Sequence, residues 1–188
     1  MNEDASDETL MLRYQSGDAA AFDELYARHR GGLYRFILRQ GRLGDHAEEL
    51  FQDVWMNLIK ARATYRVEAQ FRTWLYTLAR NRVLDFFRSD GRAGAVMREA
   101  GEDEDLENVA GSRVAQPDVL SESREQGDAI VKLLETLPAP QRETFLMYQE
   151  GGLSIEEIAA ATGTTFEAAK SRLRYAVARL RDGLQEYR

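Results

Sequence analysis

The chain has 188 residues, with 25 Lys+Arg against 32 Asp+Glu and a formal net charge of -7, a length that allows one ordinary domain or two small ones. Hydrophobic residues at 44% and aromatics at 10% are enough to build a core and exclude wholesale disorder. Cysteine is absent, which excludes disulfides, thiolate metal sites and cysteine nucleophiles and suits a reducing compartment.

In chain order, the N-terminus MNEDASDETL is acidic and lacks a signal-peptide pattern. No apolar run approaches the ~20 residues that cross a bilayer. A cytoplasmic protein with no membrane insertion of its own is expected. Phe22, Leu25, Tyr26, His29, Leu33, Phe36 and Ile37 recur at steps of three and four, the spacing of one helical face. After a break at Gly41 to Gly44, Asp45 and Glu48 are spaced as an acidic capping box, which opens a helix with Leu50, Val54, Leu58 and Ile59 as its buried stripe. Residues 71–88 form a further helix, with Trp74, Leu78 and Phe86 expected inside, whereas Tyr65 falls in a loop-like stretch, ATYRVEAQ. Strand-like alternation is missing and the first proline is Pro117, so this half reads as a three- or four-helix bundle.

Charge divides the chain. Residues 1–90 hold 13 basic and 14 acidic side chains, residues 91–128 hold 4 and 10, and residues 129–188 hold 8 and 8. The middle segment is poor in large apolar residues and reads as a flexible acidic linker; it is either a solvated tether or an acidic mimic of nucleic acid. Helical pattern resumes with Ile130, Leu133, Leu134 and Leu137, stops at Pro138-Ala139-Pro140, and resumes from about Gln141 to Gln149. The predicted fold is all-α: an N-terminal helical bundle over 1–90 and a C-terminal domain over 129–188, joined by the linker 91–128.

The most informative stretch follows. Ser154 and Glu157 form a capping box, Gly163 suits a left-handed turn, and Thr164 and Glu167 are spaced as a second box. Two short-spaced helices around a glycine turn make a helix-turn-helix. Its second helix puts Phe166, Ala169, Leu173, Val177 and Leu180 on a core stripe and leaves Lys170, Ser171, Arg174 and Tyr175 outside. From Thr164 to Arg181 there are five basic residues and one acidic. Within an acidic protein, that local excess suits a helix entering the major groove, where arginine reaches guanine edges and lysine and serine contact phosphate or bases. A plain helical hairpin with a basic solvated face is the alternative.

Upstream, Lys60 to Asp90 interleaves seven basic residues with Tyr65, Phe71, Trp74, Tyr76, Phe86 and Phe87, the composition that tracks a phosphate backbone and stacks on unpaired bases. The helix over 45–58 is rich in carboxylates and carries Trp55 and Met56, one of which must lie near its surface boundary; it is a solvated face or a protein-docking face. His29 and His46 have neither metal-ligand spacing nor a neighbouring nucleophile, and no glycine-rich phosphate loop is present. No enzyme activity, cofactor or metal is expected.

Four segments resemble a known family, the extracytoplasmic-function sigma factors of bacterial RNA polymerase. AFDELYARHRGGLYRFILR resembles the family's opening helix, and DHAEELFQDVWMNLIKA its helix that docks on the polymerase clamp. FRTWLYTLARNRVLDFFR is similar to the segment that recognises and melts the −10 element, and LPAPQRETFLMYQEGGLSIEEIAAATG followed by KSRL to the domain that reads the −35 element. The resemblance implies polymerase-binding roles for Glu49, Gln52, Asp53 and Trp55. It implies −10 contacts for Tyr65, Arg66 and Gln70 in a base-pocket loop, with Arg80, Asn81 and Arg88 nearby, and −35 contacts for Thr165, Lys170, Ser171, Arg174 and Tyr175. Core RNA polymerase, promoter DNA and an anti-sigma factor are the implied partners, and the linker would thread toward the polymerase active-site channel. The chain departs from the family pattern at Glu167-Ala168-Ala169, where Gly-Thr-Val is usual, and at Tyr175 and Val177, where basic residues are usual. The rival readings are a stand-alone helix-turn-helix regulator that binds duplex DNA as a dimer and a protein-interaction module.

Overall fold

The computed structural model describes residues 5–41, 43, 45–89 and 124–186; the expected linker lies almost wholly outside the described residues. Among the described residues there are eight α-helices and no strand: α1 (Asp7–Gln15), α2 (Ala19–Leu38), α3 (His46–Ala61), α4 (Phe71–Ser89), α5 (Arg124–Thr136), α6 (Ala139–Gly151), α7 (Ile155–Thr162) and α8 (Phe166–Glu186), with a single 3-10 turn at Arg62–Thr64. α1 through α4 form the N-terminal bundle, and α5 through α8 form the C-terminal unit.

The periodic apolar residues of α2 build one face, with Leu25, Leu33, Phe36 and Ile37 fully buried. α3 turns Leu50, Val54, Trp55 and Leu58 inward. Its start differs from expectation. Asp45 takes helical backbone angles and makes no side-chain cap bond; a residue already in the helical well cannot swing its carboxylate back to the exposed N–H groups. His46 Nδ1 instead pairs with Glu49 at 3.2 Å.

The register of α4 also corrects the sequence reading. Its buried line is Phe71, Leu75, Ala79, Val83 and Phe87, whereas Trp74, Leu78 and Phe86 are half-buried flanks. α4 packs on α3 on one side and on α6 and α7 on another, so apolar residues occupy two adjacent faces and the stripe alone cannot choose between them.

In the C-terminal unit, α6 ends at Gly152 (φ 60°) and α7 at Gly163 (φ 68°), both left-handed positions that glycine adopts without a Cβ penalty. Ser154 Oγ accepts the Glu157 N–H, and Glu157 Oε2 accepts the Ser154 N–H, the full reciprocal box. At α8 the cap is Thr165 rather than Thr164: Thr165 Oγ1 accepts from Ala168 N at 3.2 Å. The buried line of α8 is Ala169, Leu173, Ala176 and Leu180; Phe166 is exposed and Val177 half-buried, against expectation. A helix beginning at Phe166 puts that side chain in its first turn, where it stays 39% exposed.

The two units are packed together, and one hydrophobic core runs through both. α2 crosses α6 closely: a Cβ on Gly32 would stand 2.7 Å from the Glu150 carbonyl oxygen. Polar bonds close the contact. Glu150 takes Arg35 at 2.7 Å and Arg39 at 2.6 Å, Tyr76 Oη donates to the Glu150 carbonyl at 2.8 Å, and Thr73 Oγ1 donates to Glu157 Oε1 at 2.6 Å.

Candidate nucleic-acid and polymerase interfaces

On α8, the buried residues Ala169, Leu173, Ala176 and Leu180 recur at i, i+4, i+7 and i+11, which fixes the opposite face as the outward one. Lys170 and Arg174 stand exposed on that face, with Ser171 half-buried between them. Tyr175 lies to one side, with the Arg174 guanidinium 5.0 Å from its ring centre. Lys170 Nζ lies 5.8 Å from the ring centre of the exposed Phe166. Thr165 is exposed, and its hydroxyl oxygen caps the helix. The structure thus brings Lys170, Ser171 and Arg174 to the outward side of the second helix, leaves Tyr175 half-buried at its flank and gives Thr165 a capping duty.

The loop over 65–70 is less open than its composition suggests. Tyr65, in the stretch that reads as loop-like, is buried, 4.9 Å from the Trp74 ring and 6.5 Å from that of Phe71. Burial, then the charges of Glu8 and Asp7, push its hydroxyl up to about 12; its ring, covered by Trp74 and Phe71, forms wall rather than stacking platform. Arg66 and Gln70 are exposed, and Gln70 Oε1 accepts from Arg72 at 2.9 Å. Beside them a cleft of about 370 Å³ runs between the loop, Thr73, Trp74 and Thr77 on one side and Ala160 and Ala161 of α7 on the other.

α1 holds this loop at both ends. The Gln15 side-chain amide reaches the carbonyls of Arg62, Ala63 and Tyr65 at 3.0–3.2 Å. Glu8 Oε1 accepts the Phe71 N–H at 2.8 Å, capping α4 from a distant helix. α1 is itself fixed to α2 by Asp7, which pairs with His29 at 2.7 Å and Arg28 at 3.0 Å. Burial pushes the Asp7 carboxyl up, but the bonds and charges of His29 and Arg28 outweigh it and hold it below the ordinary 3.8. Sequence reasoning missed these residues, because nothing local to Glu8 or Gln15 signals a partner 63 or 47–50 residues downstream.

Along α4, Asn81 is exposed, and Arg88 is exposed beside Asp85 at 3.1 Å. Arg80 is different. Its Nε lies 2.9 Å from Glu143 Oε1 of α6, an ion pair without the alignment of a full hydrogen bond, and it faces the C-terminal unit rather than solvent. Burial pushes the Glu143 carboxyl up, against the opposing charges of Arg80, Arg172 and Arg142.

On α3, Glu49, Gln52, Asp53, Met56 and Lys60 fall at i, i+3, i+4, i+7 and i+11 and make one surface row. Glu49 and Gln52 are exposed, and Asp53 is half-buried and paired with Arg82 at 2.7 Å. Trp55 corrects the expectation. Only 4% exposed, it packs among Tyr26, Phe22 and Phe51 and belongs to the core. Met56, 49% exposed, is the apolar side chain on the row.

Comparison with known proteins gives these faces a context. Residues 25–93 match the Sigma-70 region 2 family, and residues 127–180 match Sigma-70, region 4. The RNA polymerase sigma factor CarQ of Myxococcus xanthus is 30% identical over 94% of this chain and 96% of its own length. The ECF RNA polymerase sigma factor RpoE of Cereibacter sphaeroides is 33% identical over 87% of this chain and 86% of its own. The chain belongs to the extracytoplasmic-function sigma factors. Two solved structures share its fold: CnrH in complex with the cytosolic domain of CnrY (TM-score 0.68, 22% identity, 97% of this chain and 99% of that one) and the sigma factor RpoE in complex with the anti-sigma factor NepR from Bartonella quintana (TM-score 0.64, 25% identity, 89% and 98%). In this sigma factor the region 2 match takes in most of α2 and all of α3 and α4, whereas α1, with Glu8 and Gln15, precedes it. Among the described residues there is no group of His, Asp or Glu that could hold a metal, and no helix long and apolar enough to cross a membrane.

Proposed function

We propose that this sigma factor reads the −35 element with α8 and the −10 element with the 65–70 loop and α4, while the exposed row of α3 docks on core RNA polymerase. The observation that carries the proposal is the outward face of α8. It sets Lys170, Ser171 and Arg174 on the free side of a helix that follows a doubly capped glycine turn, the geometry in which a recognition helix enters the major groove. Residues 1–90 and 129–188 act as the two promoter-binding units, and the acidic linker 91–128 joins them on the polymerase.

Arg66, Gln70, Asn81 and Arg88 supply the exposed polar side of the −10 contact, and the wall of the cleft that Tyr65, Trp74 and the 65–70 loop form on the N-terminal unit accepts an extruded base once α7 has moved away. Extrusion costs a few kcal/mol, which binding of the unpaired base in the cleft offsets. Arg80 joins them once α6 has moved away from α4. Glu49, Gln52, Asp53 and Met56 form the polymerase-docking row, an acidic rim around one flexible apolar side chain. The protein is a specificity subunit with no catalysis of its own and works in the cytoplasm, where its polymerase is. An anti-sigma factor holds it inactive, as the complex of the Bartonella quintana relative with NepR suggests.

Run-off transcription with core polymerase on a promoter library tests the reading. Transcripts that share two spaced elements are expected only when this protein is added, and they are lost with a Lys170→Ala/Arg174→Ala double variant that still binds core. No new transcripts and no co-elution with core would sink the proposal.

A further inference from the structure

Glu167 is the one acidic residue between Thr164 and Arg181, and it does not sit on the flank of α8. Glu167, Lys170, Ser171 and Arg174 fall at i, i+3, i+4 and i+7, so the carboxylate shares the outward row with the basic residues. It stands in the first turn, exposed, and N-terminal residues of a recognition helix are those that meet base edges.

Helix capping does not occupy it. Thr165 already caps α8 through the Ala168 N–H. Glu167 has no hydrogen-bond or ion-pair partner among the described residues, although Lys170 and Ser171 lie one turn away; Lys170 lies over the Phe166 ring instead. In a groove flanked by phosphates a carboxylate is repelled; the positive end of α8 offsets part of that repulsion, and a hydrogen-bond donor on the DNA would offset the rest. The major groove offers two, cytosine N4 and adenine N6. Adenine places its N7 acceptor beside N6, which repels a carboxylate, and guanine and thymine present only acceptors there. Cytosine is the base whose polar edge suits it.

We propose that Glu167 is a specificity-determining residue that accepts a hydrogen bond from the N4 amino group of one cytosine in the −35 element. The proposal rests on the reading of α8 as the −35 helix, and the test separates the two. Holoenzyme reconstituted with core polymerase is used to select from promoters randomised over the −35 element, with the parent protein, Glu167→Ala, Glu167→Gln and Arg174→Ala. The parent selects cytosine at one position. Glu167→Ala loses that discrimination, roughly 5- to 150-fold, at that base pair alone. Glu167→Gln, whose amide complements adenine N6 and N7, shifts the preferred base there from cytosine to adenine, a change that a purely structural role would not produce. If both Glu167 variants keep the parent profile while Arg174→Ala changes it, α8 is the reader and the inference about Glu167 is wrong. A Glu167→Ala protein that binds every sequence more tightly, with its preferences intact, also overturns it, because the carboxylate then faces phosphate. If Arg174→Ala leaves the profile unchanged too, the reading of α8 falls with it.

Discussion

The contact between the two units turns on Glu150, and replacing it by alanine is expected to loosen them. The side chain is 5% exposed and takes two guanidinium groups, Arg35 at 2.7 Å and Arg39 at 2.6 Å. A hydrogen bond to a charged group contributes about 1.5–3 kcal/mol. Arg35 is 50% exposed, so solvent reduces its share to a few tenths of that scale, whereas the better buried Arg39 keeps most of its own. The expected loss is about 2–3 kcal/mol, or roughly a 30- to 150-fold rise in the ratio of separated to packed units at 1.4 kcal/mol per tenfold. The Tyr76 bond to the backbone carbonyl of residue 150 survives the substitution, which keeps the effect from being larger. The chain has no cysteine, so Met56→Cys and Val131→Cys place one dye on each unit without background labelling. The single-molecule distance distribution between them should gain a long-distance population in Glu150→Ala. Gly32→Val supplies an independent route, since its Cβ alone would meet the Glu150 carbonyl at 2.7 Å and backbone atoms on both sides must move apart. Unchanged distributions in both variants would refute the idea that this helix crossing holds the units together.

Three further outcomes follow from named contacts. Gln15→Ala removes the amide that reaches three carbonyls of the 62–65 segment; amide exchange there should speed up with a local loss of about 1–2 kcal/mol, and −10 strand opening should fall while core binding does not. Because the Asp7 carboxyl sits below 3.8 in the fold, the native state holds fewer protons than the unfolded one. Its contribution is therefore complete above that value and is lost as pH falls below it; Asp7→Asn should flatten the acid limb of a pH-stability curve and leave the neutral region parallel. Ser154→Ala removes one half of the capping box and should lower stability by about 1 kcal/mol in chemical denaturation.

The parts of this molecule that were legible in the sequence are those whose cause is local. The Ser154–Glu157 box and Gly163 mark their turn because capping depends on residues three apart and on one left-handed backbone position. Lys170, Ser171 and Arg174 could be placed outside because the apolar spacing of α8 fixes its other face. Asp45 and Thr164 show that spacing only proposes a cap: at Asp45 the helical backbone angle forecloses it, and at α8 the neighbouring Thr165 took the role. α4 hid its register because helices pack on two of its sides. Tyr65 and Trp55 are buried by partners from α4 and α2, which composition cannot reveal.

Arg80 shows the deeper limit. It lies in a basic, aromatic segment and has the local surroundings of a DNA contact, as Arg88 has. What distinguishes them is Glu143, more than sixty residues away in sequence and 2.9 Å away in space. The same holds for Arg35 and Arg39 before Glu150. Sequence counts charges, whereas a charge facing an acid across a helix crossing holds the fold, and one facing solvent is free for phosphate. The free protein therefore presents two different kinds of basic residue. Lys170 and Arg174 on α8 stand exposed in the packed arrangement, but Arg80, paired with Glu143, becomes available only when α6 leaves α4. Glu150→Ala, by favouring that separation, should raise the contribution of Arg80 to promoter binding while leaving that of Arg174 unchanged, a difference that Arg80→Ala and Arg174→Ala in the two backgrounds would measure.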